Sequence, residues 1–256
     1  MTDTGDGGIP LLEHDPSPAA FIEPARTVGR RRVPERMVAC FFQDVIERVC
    51  ASVPVAATFK SEIGANPVWA FPVGGETIGV MHPGVGAPLA AAFLEEAIAA
   101  GARKVIAVGG AGALLPELTM GHVVVPTEAV RDEGTSYHYL PPARTVRADP
   151  DVLATITAAL EARDVPFVLA PTWTTDGIYR ETPARIERRR AEGCATVEME
   201  TAAFYAVARF RSIRLGQLLY AADSLAGAEW DHRGWLHATD VRTALFELAC
   251  ELVLEL

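Results

Sequence analysis

The chain has 256 residues, 50% hydrophobic and 22% charged, which favours a single globular domain with a sizeable core. The formal net charge of −10 argues against a nucleic-acid partner, because neutralising phosphates requires a surplus of Lys and Arg. The four cysteines form no CxxC pair, so we predict reduced thiols in a cytoplasmic protein and no metal site. The first residues lack a basic leader, and no apolar run reaches about 18 residues, so neither export nor a membrane partner is predicted.

Residues 1–34 carry many prolines and glycines and show no sustained hydrophobic period. Clusters of these residues are typical of irregular backbone. We therefore predict an N-terminal extended arm over 1–34, which lies along its own domain or a neighbouring chain, followed by one domain over 35–256.

Short apolar runs alternate with Ala- and Leu-rich segments of helical spacing through the rest of the chain. The predicted strands are MVACFF, VPVAATF, PVWAFPV, TIGVMHP, KVIAVGG, HVVVPTEAV, VPFVLAPTW and IRLGQLLYAA. The predicted helices are PLAAAFLEEAIAAGA, PDVLATITAALEAR, VEMETAAFYAVARF and DVRTALFELACELVLEL. This alternation predicts a single three-layer α/β domain, in which helices flank a mainly parallel or mixed central sheet. Ligands of such sheets bind outside the carboxyl ends of the strands.

Two glycine-rich loops follow predicted strands at that edge. The first, MHPGVGAP, contains Gly84, and the second contains Gly110, Ala111 and Gly112. Such loops let the backbone approach a ligand or donate N–H groups to an anion, although tight turns are the simpler alternative. Leu115 occupies the position of the third glycine of a dinucleotide fingerprint, and no P-loop, GxSxG or HExxH motif is present. The missing motifs argue against a dinucleotide-dependent dehydrogenase, a P-loop NTPase, a hydrolase with a GxSxG nucleophile elbow and an HExxH zinc protease.

The stretch ATVEMETAAF places Glu198, Met199 and Glu200 at the start of an Ala-rich pattern. Its apolar spacing predicts a helix that begins near Thr196, with Val197 on the buried face. Acids in a first helical turn are stabilised by the helix dipole, so a purely structural role for both carboxylates stays open.

Together with these stretches, the chain resembles the nucleoside phosphorylase superfamily, which includes purine nucleoside phosphorylases, uridine phosphorylases and methylthioadenosine/S-adenosylhomocysteine nucleosidases. The resemblance begins near Met37 and is specific over residues 84–142 and 174–210, where VEMET resembles the family's ribose-binding signature and YAADS follows it. It implies a nucleoside phosphorylase-like fold and an enzyme that cleaves the N-glycosidic bond of a small-molecule nucleoside. It also implies a homo-oligomer, either a dimer or a hexamer.

The resemblance assigns catalytic roles to Glu200 and Asp223. Glu200 corresponds to the carboxylate that accepts hydrogen bonds from ribose hydroxyls and favours an oxocarbenium-like sugar, with Met199 packing under that sugar. Asp223 corresponds to the aspartate of the purine branch that shares a proton with N7 of the leaving base, so a purine-like base is predicted. Because a free Asp has a pKa of about 3.9, this role requires burial. Loop capping is the alternative for Asp223, and a structural first-turn acid is the alternative for Glu198.

Other substrate contacts are predicted around these two carboxylates. Ile178 occupies the base-stacking position, while His138 resembles a residue of the uridine-type members. The segment AEWDHRGW is either a lid over the pocket or an ordinary surface loop. The full set predicted to bind substrate is Met199, Glu198, Ile178, Tyr179, Gly110, Ala111, Gly112, Gly84, His138 and Arg180.

Arginines that hold phosphate in the family's phosphorylases are absent from their expected positions. Val45 and Ala107 occupy two of them, and only Lys60 lies near the third, which a neighbouring subunit lends. Orthophosphate needs several charged donors, so we predict hydrolysis by water, without a cofactor. The alternatives are a phosphate-dependent purine or uridine phosphorylase, with phosphate as co-substrate, and a non-catalytic nucleoside-binding protein. The residues predicted to activate the water are Asp44, Glu47 and Gln43.

Overall fold

A ten-stranded mixed sheet forms the centre of the computed structural model, which describes residues 8–256. The strands are β1 Arg36–Cys40, β2 Val55–Ser61, β3 Gly64–Val73, β4 Glu76–Met81, β5 Lys104–Ala113, β6 Val123–Asp132, β7 Thr145–Arg147, β8 Phe167–Thr175, β9 Thr196–Glu198 and β10 Arg214–Ser224. The helices are α1 Pro24–Val28, α2 Gln43–Val49, α3 Ala87–Ala100, α4 Pro150–Ala162, α5 Pro183–Ala191, α6 Thr201–Arg211 and α7 Thr239–Glu255.

The sheet has a parallel centre with an antiparallel margin. β4, β1, β5 and β10 run parallel, and β3 and β2 extend the sheet as antiparallel strands beyond β4. On the other side, β10 pairs with β6, β6 with β8, β8 with β9, and β9 returns to the end of β5. These five strands close on themselves, so the carboxyl end of β5 is enclosed by neighbours.

Helices cover both faces of this sheet, as the sequence predicts for an α/β domain. Met37 and Ala39 of β1 pack with α3 and α6, whereas Val38 and Cys40 face α2, α4 and α7. Alternate strand residues therefore enter two separate cores, because successive side chains of a strand point to opposite faces. Within residues 8–256, no helix combines the length and apolar character needed to cross a membrane.

The arm contains short helical turns instead of a wholly extended chain over its described residues, 8–34. A 3-10 turn spans Pro10–Leu12, and α1 follows at Pro24–Val28. Val28 is buried against the core beside α3, which ties this part of the arm to its own domain. Phe21 remains 98% exposed. Residues 1–7 of the predicted arm lie outside the described residues.

The prediction of a helix beginning near Thr196 is wrong. Thr196 and Val197 belong to β9, where they pair with both β5 and β8, and α6 begins only at Thr201. One strand on each side, β5 and β8, supplies hydrogen-bond partners for the backbone of this segment. A local hydrophobic period cannot reveal these partners, because they are distant in sequence. Glu198 therefore precedes the helix instead of lying within its first turn.

Candidate active site

A cavity of about 320 Å³ lies at the carboxyl ends of β1, β5 and β10, beside the N-terminus of α6. Eight of the predicted site residues line it, and they come from four separate stretches of chain. They are Ile178, Gly110, Ala111, Gly112, Glu198, Met199, Glu200 and Asp223. The position agrees with the expectation that ligands bind at strand ends in an α/β sheet.

The other predicted residues lie away from the cavity lining. Tyr179 is 92% exposed, and Arg180 and His138 are also exposed. Gly84 is buried in the turn before α3, where its φ of +83° suits glycine. The turn has an indirect effect on the site, because two residues later the N–H of Gly86 donates to Glu200 at 2.5 Å.

The three proposed water-activating residues are also outside the cavity lining. On exposed positions of α2, the amide of Gln43 donates to the Glu47 carboxylate at 2.9 Å. Asp44 forms an ion pair with Arg242 of α7 at 2.5 Å. Each side chain thus has a partner that accounts for its position without a bound nucleophile.

Glu198 and Glu200 differ sharply in their hydrogen bonding. Glu198 accepts from the Thr174 hydroxyl at 2.5 Å and from the N–H groups of Glu200 and Thr201 at 2.7 and 2.6 Å. These donors include the first free N–H groups of α6, so Glu198 caps the helix from outside it. Glu200 has fewer donors, the principal one among the described residues being the N–H of Gly86, and both residues are 7% exposed. Glu198 is thereby fixed, while Glu200 keeps acceptor capacity for a ligand.

Burial raises the pKa of both carboxyls. Burial first, and then the negative charge of Glu198, raise the pKa of Glu200 to about 8. Three donors stabilise the ionised form of Glu198, and Glu200 has fewer, so Glu198 carries the charge of the pair. In the ligand-free protein near neutral pH, Glu200 therefore holds a proton that additional hydrogen-bond donors would help to release.

A second pair of acids also lines the cavity. Asp223 lies within a register shift between Ala221 and Ser224 of β10, and it accepts from the indole N–H of Trp230 at 2.6 Å. Glu181, which also lines the cavity, has its pKa raised to about 7 by burial and then by the charge of Asp223. A carboxyl that titrates near neutrality can exchange a proton with a ligand at working pH.

The segment AEWDHRGW forms part of the cavity wall. Its backbone pairs Asp231 with Ser224, and the His232 ring lies between Trp230 and Trp235, with centroid distances of 5.2 and 5.9 Å. Trp230 and Trp235 line the cavity, although Trp230 stays 62% exposed. Of the two predicted descriptions, a cover over the pocket fits this position better than a remote surface loop.

Aromatic rings occupy the region beside the end of β1. A methyl group on Gly109 would lie 3.0 Å from Cδ2 of Phe41, so the ring rests directly on the β5 backbone. Phe42 packs against Tyr220 with ring centroids 5.8 Å apart. The guanidinium of Arg242 lies 5.0 Å from the centroid of the Phe42 ring. The cavity wall next to the end of β1 therefore consists mainly of aromatic rings. The one guanidinium beside these rings, that of Arg242, is paired with Asp44.

Sequence reasoning did not single out several cavity residues. Glu181 lies three residues beyond the predicted Ile178, and its position in a TDGIYRET loop was the available signal. Arg242 comes from the C-terminal helix, and Gln217 lies in the middle of an apolar strand. A polar residue inside the run RLGQLLYAA was the only sequence sign that Gln217 faces something other than core.

Comparison with known proteins places this geometry in a family. The model of the phosphorylase superfamily matches residues 35–256, so the chain belongs to that superfamily, as its motifs predict. A guanosine phosphorylase of Halorubrum lacusprofundi is 29% identical over 56% of this chain and 60% of its own length. A uridine phosphorylase of Treponema pallidum is 33% identical over 56% of this chain and 59% of its own. The chain thus spans less than two thirds of these relatives' lengths.

Solved structures agree on the fold. Uridine phosphorylase from Vibrio fischeri, complexed with 6-hydroxy-1-naphthoic acid, has a TM-score of 0.73 at 25% identity, covering 88% of this chain and 92% of that one. Purine nucleoside phosphorylase from Toxoplasma gondii, in complex with immucillin-H, has a TM-score of 0.70 at 20% identity, covering 87% and 93%. The predicted α/β fold of this superfamily is confirmed.

Proposed function

We propose that this chain is an enzyme that cleaves the N-glycosidic bond of a nucleoside, with a purine-like base as the leaving group and water as the acceptor. The cavity offers one carboxyl for the sugar, Glu200, and two for the base, Asp223 and Glu181. The names of the relatives support nucleoside chemistry, and membership of the superfamily supports it further.

Glu200 holds the sugar in this proposal, and Met199 beside it supplies an apolar surface under the ring. Burial and the charge of Glu198 raise the pKa of Glu200 to about 8 in the absence of a ligand. Ribose hydroxyls that donate to this carboxylate stabilise its ionised form and so lower the pKa again. The resulting negative charge then lies next to the positive sugar that forms as the C–N bond breaks. Such fixed charges favour the transition state more than the ground state.

Asp223 and Glu181 act on the base. As the bond breaks, the electron pair goes to the base, which needs a proton to leave as a neutral molecule. The raised pKa of Glu181, about 7, means that this carboxyl carries a proton over part of the neutral range. Asp223, held by Trp230, is the hydrogen-bond acceptor beside it. General-acid assistance of this kind contributes about 10²–10⁴-fold.

The charge of the cavity lining supports water as the acceptor of the sugar. Among the described residues that line the cavity, Arg242 alone is cationic, and it is ion-paired with Asp44. Orthophosphate would have to displace Asp44 or bind through backbone N–H groups only. Water carries no charge and needs only hydrogen bonds. Phe41 and Phe42 also narrow the region beside the β1 end to an apolar wall.

Phosphorolysis is the second candidate, because the curated relatives are a guanosine phosphorylase and uridine phosphorylases and Arg242 lines the cavity. The deciding experiment incubates guanosine, inosine, adenosine and uridine with the protein, with and without phosphate. Hydrolysis predicts release of base and free ribose at equal rates in both buffers. Strict dependence of base release on phosphate, with ribose 1-phosphate as product, would refute hydrolysis. A rise in melting temperature without base release would instead indicate a nucleoside-binding protein.

We further propose that the protein is cytoplasmic and works as a homo-oligomer, a dimer or a hexamer. Large apolar side chains lie exposed near the cavity mouth, where Ile178 is 54% and Tyr179 92% exposed, and on the arm, where Phe21 is 98% exposed. Exposed apolar groups that cluster together favour association. Light scattering on the purified chain tests this, and a monomer at micromolar concentration would contradict it.

A further inference from the structure

Gln217 is a buried polar residue whose side-chain oxygen has no hydrogen-bond partner among residues 8–256. It lies in the middle of β10 with 1% of its surface exposed, and its Oε1 accepts no hydrogen bond within the described chain. A buried amide oxygen without a partner is destabilising, because it has lost its hydrogen bonds to water and gained none in return. Gln217 nevertheless lines the cavity, so the group that satisfies its amide is to be sought there.

The register of the sheet places Gln217 on the face that carries Glu200. A methyl group on the preceding Gly216 would collide with Ile156 of α4, so Gln217, one residue on, faces the opposite side. It is the register partner of Ala107 on β5, which packs in the core with α3 and α6. Ala107 is the position where the sequence lacks an arginine, so the residue that pairs with Gln217 on the neighbouring strand carries only a methyl group.

We infer that Gln217 positions the attacking water of the proposed hydrolysis. The side-chain oxygen accepts no hydrogen bond from the described chain, so the amide can turn this oxygen toward the cavity without losing one. A neutral amide suits an uncharged nucleophile, because its oxygen accepts a hydrogen bond from one O–H of the water. The lone pairs of the water oxygen stay free to attack the sugar. Glutamine amides orient attacking water in the same manner in some GTPases.

The proton balance of the step is complete with groups that line the cavity. The water oxygen forms a bond to C1′ of the sugar while the bond from C1′ to the base breaks, and that electron pair goes to the base. The base takes the proton of the Glu181 and Asp223 pair. The proton lost by water passes to the Glu200 carboxylate, because an amide is not a base. Solvent exchange then returns both carboxyls to their starting states.

Two substitutions test this inference, which rests on the proposed hydrolysis. Gln217→Leu keeps the volume of the side chain and removes its polar atoms, and Gln217→Asn keeps the amide but shortens its reach. Leu218→Met is the matched control, since Leu218 is a buried neighbour on the opposite face of β10. Each variant is assayed on a cleavable nucleoside without phosphate, in water and in buffered methanol.

Gln217→Leu is expected to lower kcat by about 10²-fold with KM changed less than about 3-fold, because only the attack geometry is lost. Methanol should then compete better, so the ratio of methyl riboside to ribose should rise several-fold. Leu218→Met should leave both quantities unchanged. Binding of a C-nucleoside, whose base is joined by a carbon–carbon bond, should match the wild type and confirms folding.

Unchanged kcat and product ratio in Gln217→Leu would overturn the inference while hydrolysis by the wild type still stands. A loss confined to KM or to C-nucleoside binding would also overturn it, since Gln217 would then contact sugar or base. Should the leucine variant not fold, Gln217→Asn decides by the same readouts. A wild-type protein that requires phosphate would refute the proposed function separately, before any variant is compared.

Discussion

Replacing Glu200 by Gln should make the ligand-free protein more stable, by a margin that grows with pH. The pKa of this carboxyl is raised from 4.5 to about 8 by burial and the charge of Glu198. Between these values the folded state holds a proton that the unfolded state has lost. Unfolding then releases a proton, so the free energy of unfolding falls as pH rises.

The slope for one such group is about 1.4 kcal/mol per pH unit. Glutamine has the same shape, still accepts from the Gly86 N–H and never ionises. The variant should equal the wild type below about pH 4.5 and exceed it by a few kcal/mol at pH 8. In a chain of this size, 1 kcal/mol corresponds to about 2–4 °C in melting temperature. The shift is large enough for a routine thermal melt.

The assay is a series of melts at pH 5, 6, 7 and 8 on the wild type and Glu200→Gln without nucleoside. Glu117→Gln, on an exposed carboxyl in the turn after β5, is the control and should show no growing margin. A constant margin across the series, or a variant less stable than the wild type at pH 8, would refute a protonated Glu200. In that case the donor from Gly86 would suffice to keep the carboxylate ionised.

Three further substitutions probe the same cavity. Asp223→Asn should lower kcat about 10²-fold or more with a smaller effect on KM, measured as base release; equal activity would remove Asp223 from the mechanism. In the wild type, kcat/KM is expected to fall as pH rises through about 7, the value to which the pKa of Glu181 is raised, and Glu181→Gln should remove this fall; a variant that keeps the fall would assign it to another group. Thr174→Val should destabilise the fold by about 1–3 kcal/mol in urea melts, because Glu198 loses a donor and the Ala202 N–H an acceptor; no loss would mean that water replaces the hydroxyl.

Most of the fold could be predicted from local patterns. Residue composition and hydrophobic periodicity predict strands such as KVIAV and helices such as PLAAAFLEEAIAA. The alternation of these elements is sufficient to predict a sheet covered by helices. The start of α6 could not be predicted, because the choice between strand and helix for Thr196–Glu198 depends on partners in β5 and β8. That pairing joins stretches distant in sequence, which no local window contains.

The site was predictable to the extent that its residues belong to a contiguous motif. The VEMET motif pointed to the acids beside α6, and the position at the end of an apolar strand pointed to Asp223. Arg242 and Gln217 could not be found this way, because their significance comes from what they face across the fold. A lone glutamine in an apolar strand indicates a polar neighbour but not which one, and an arginine near the C-terminus indicates nothing specific, until the tertiary structure supplies Ala107 and Asp44 as neighbours.

The charge of the cavity connects these observations. Four carboxyl residues line it, Glu181, Glu198, Glu200 and Asp223, against one guanidinium that Asp44 already pairs. Two unit charges about 8 Å apart interact by about 2 kcal/mol at an effective dielectric constant of 20. Each ionised carboxylate therefore repels a phosphate anion and attracts a positive sugar by similar amounts. In the proposed reaction, a cavity of this composition would stabilise the positive sugar of the transition state, and it would favour an acceptor that brings no negative charge of its own.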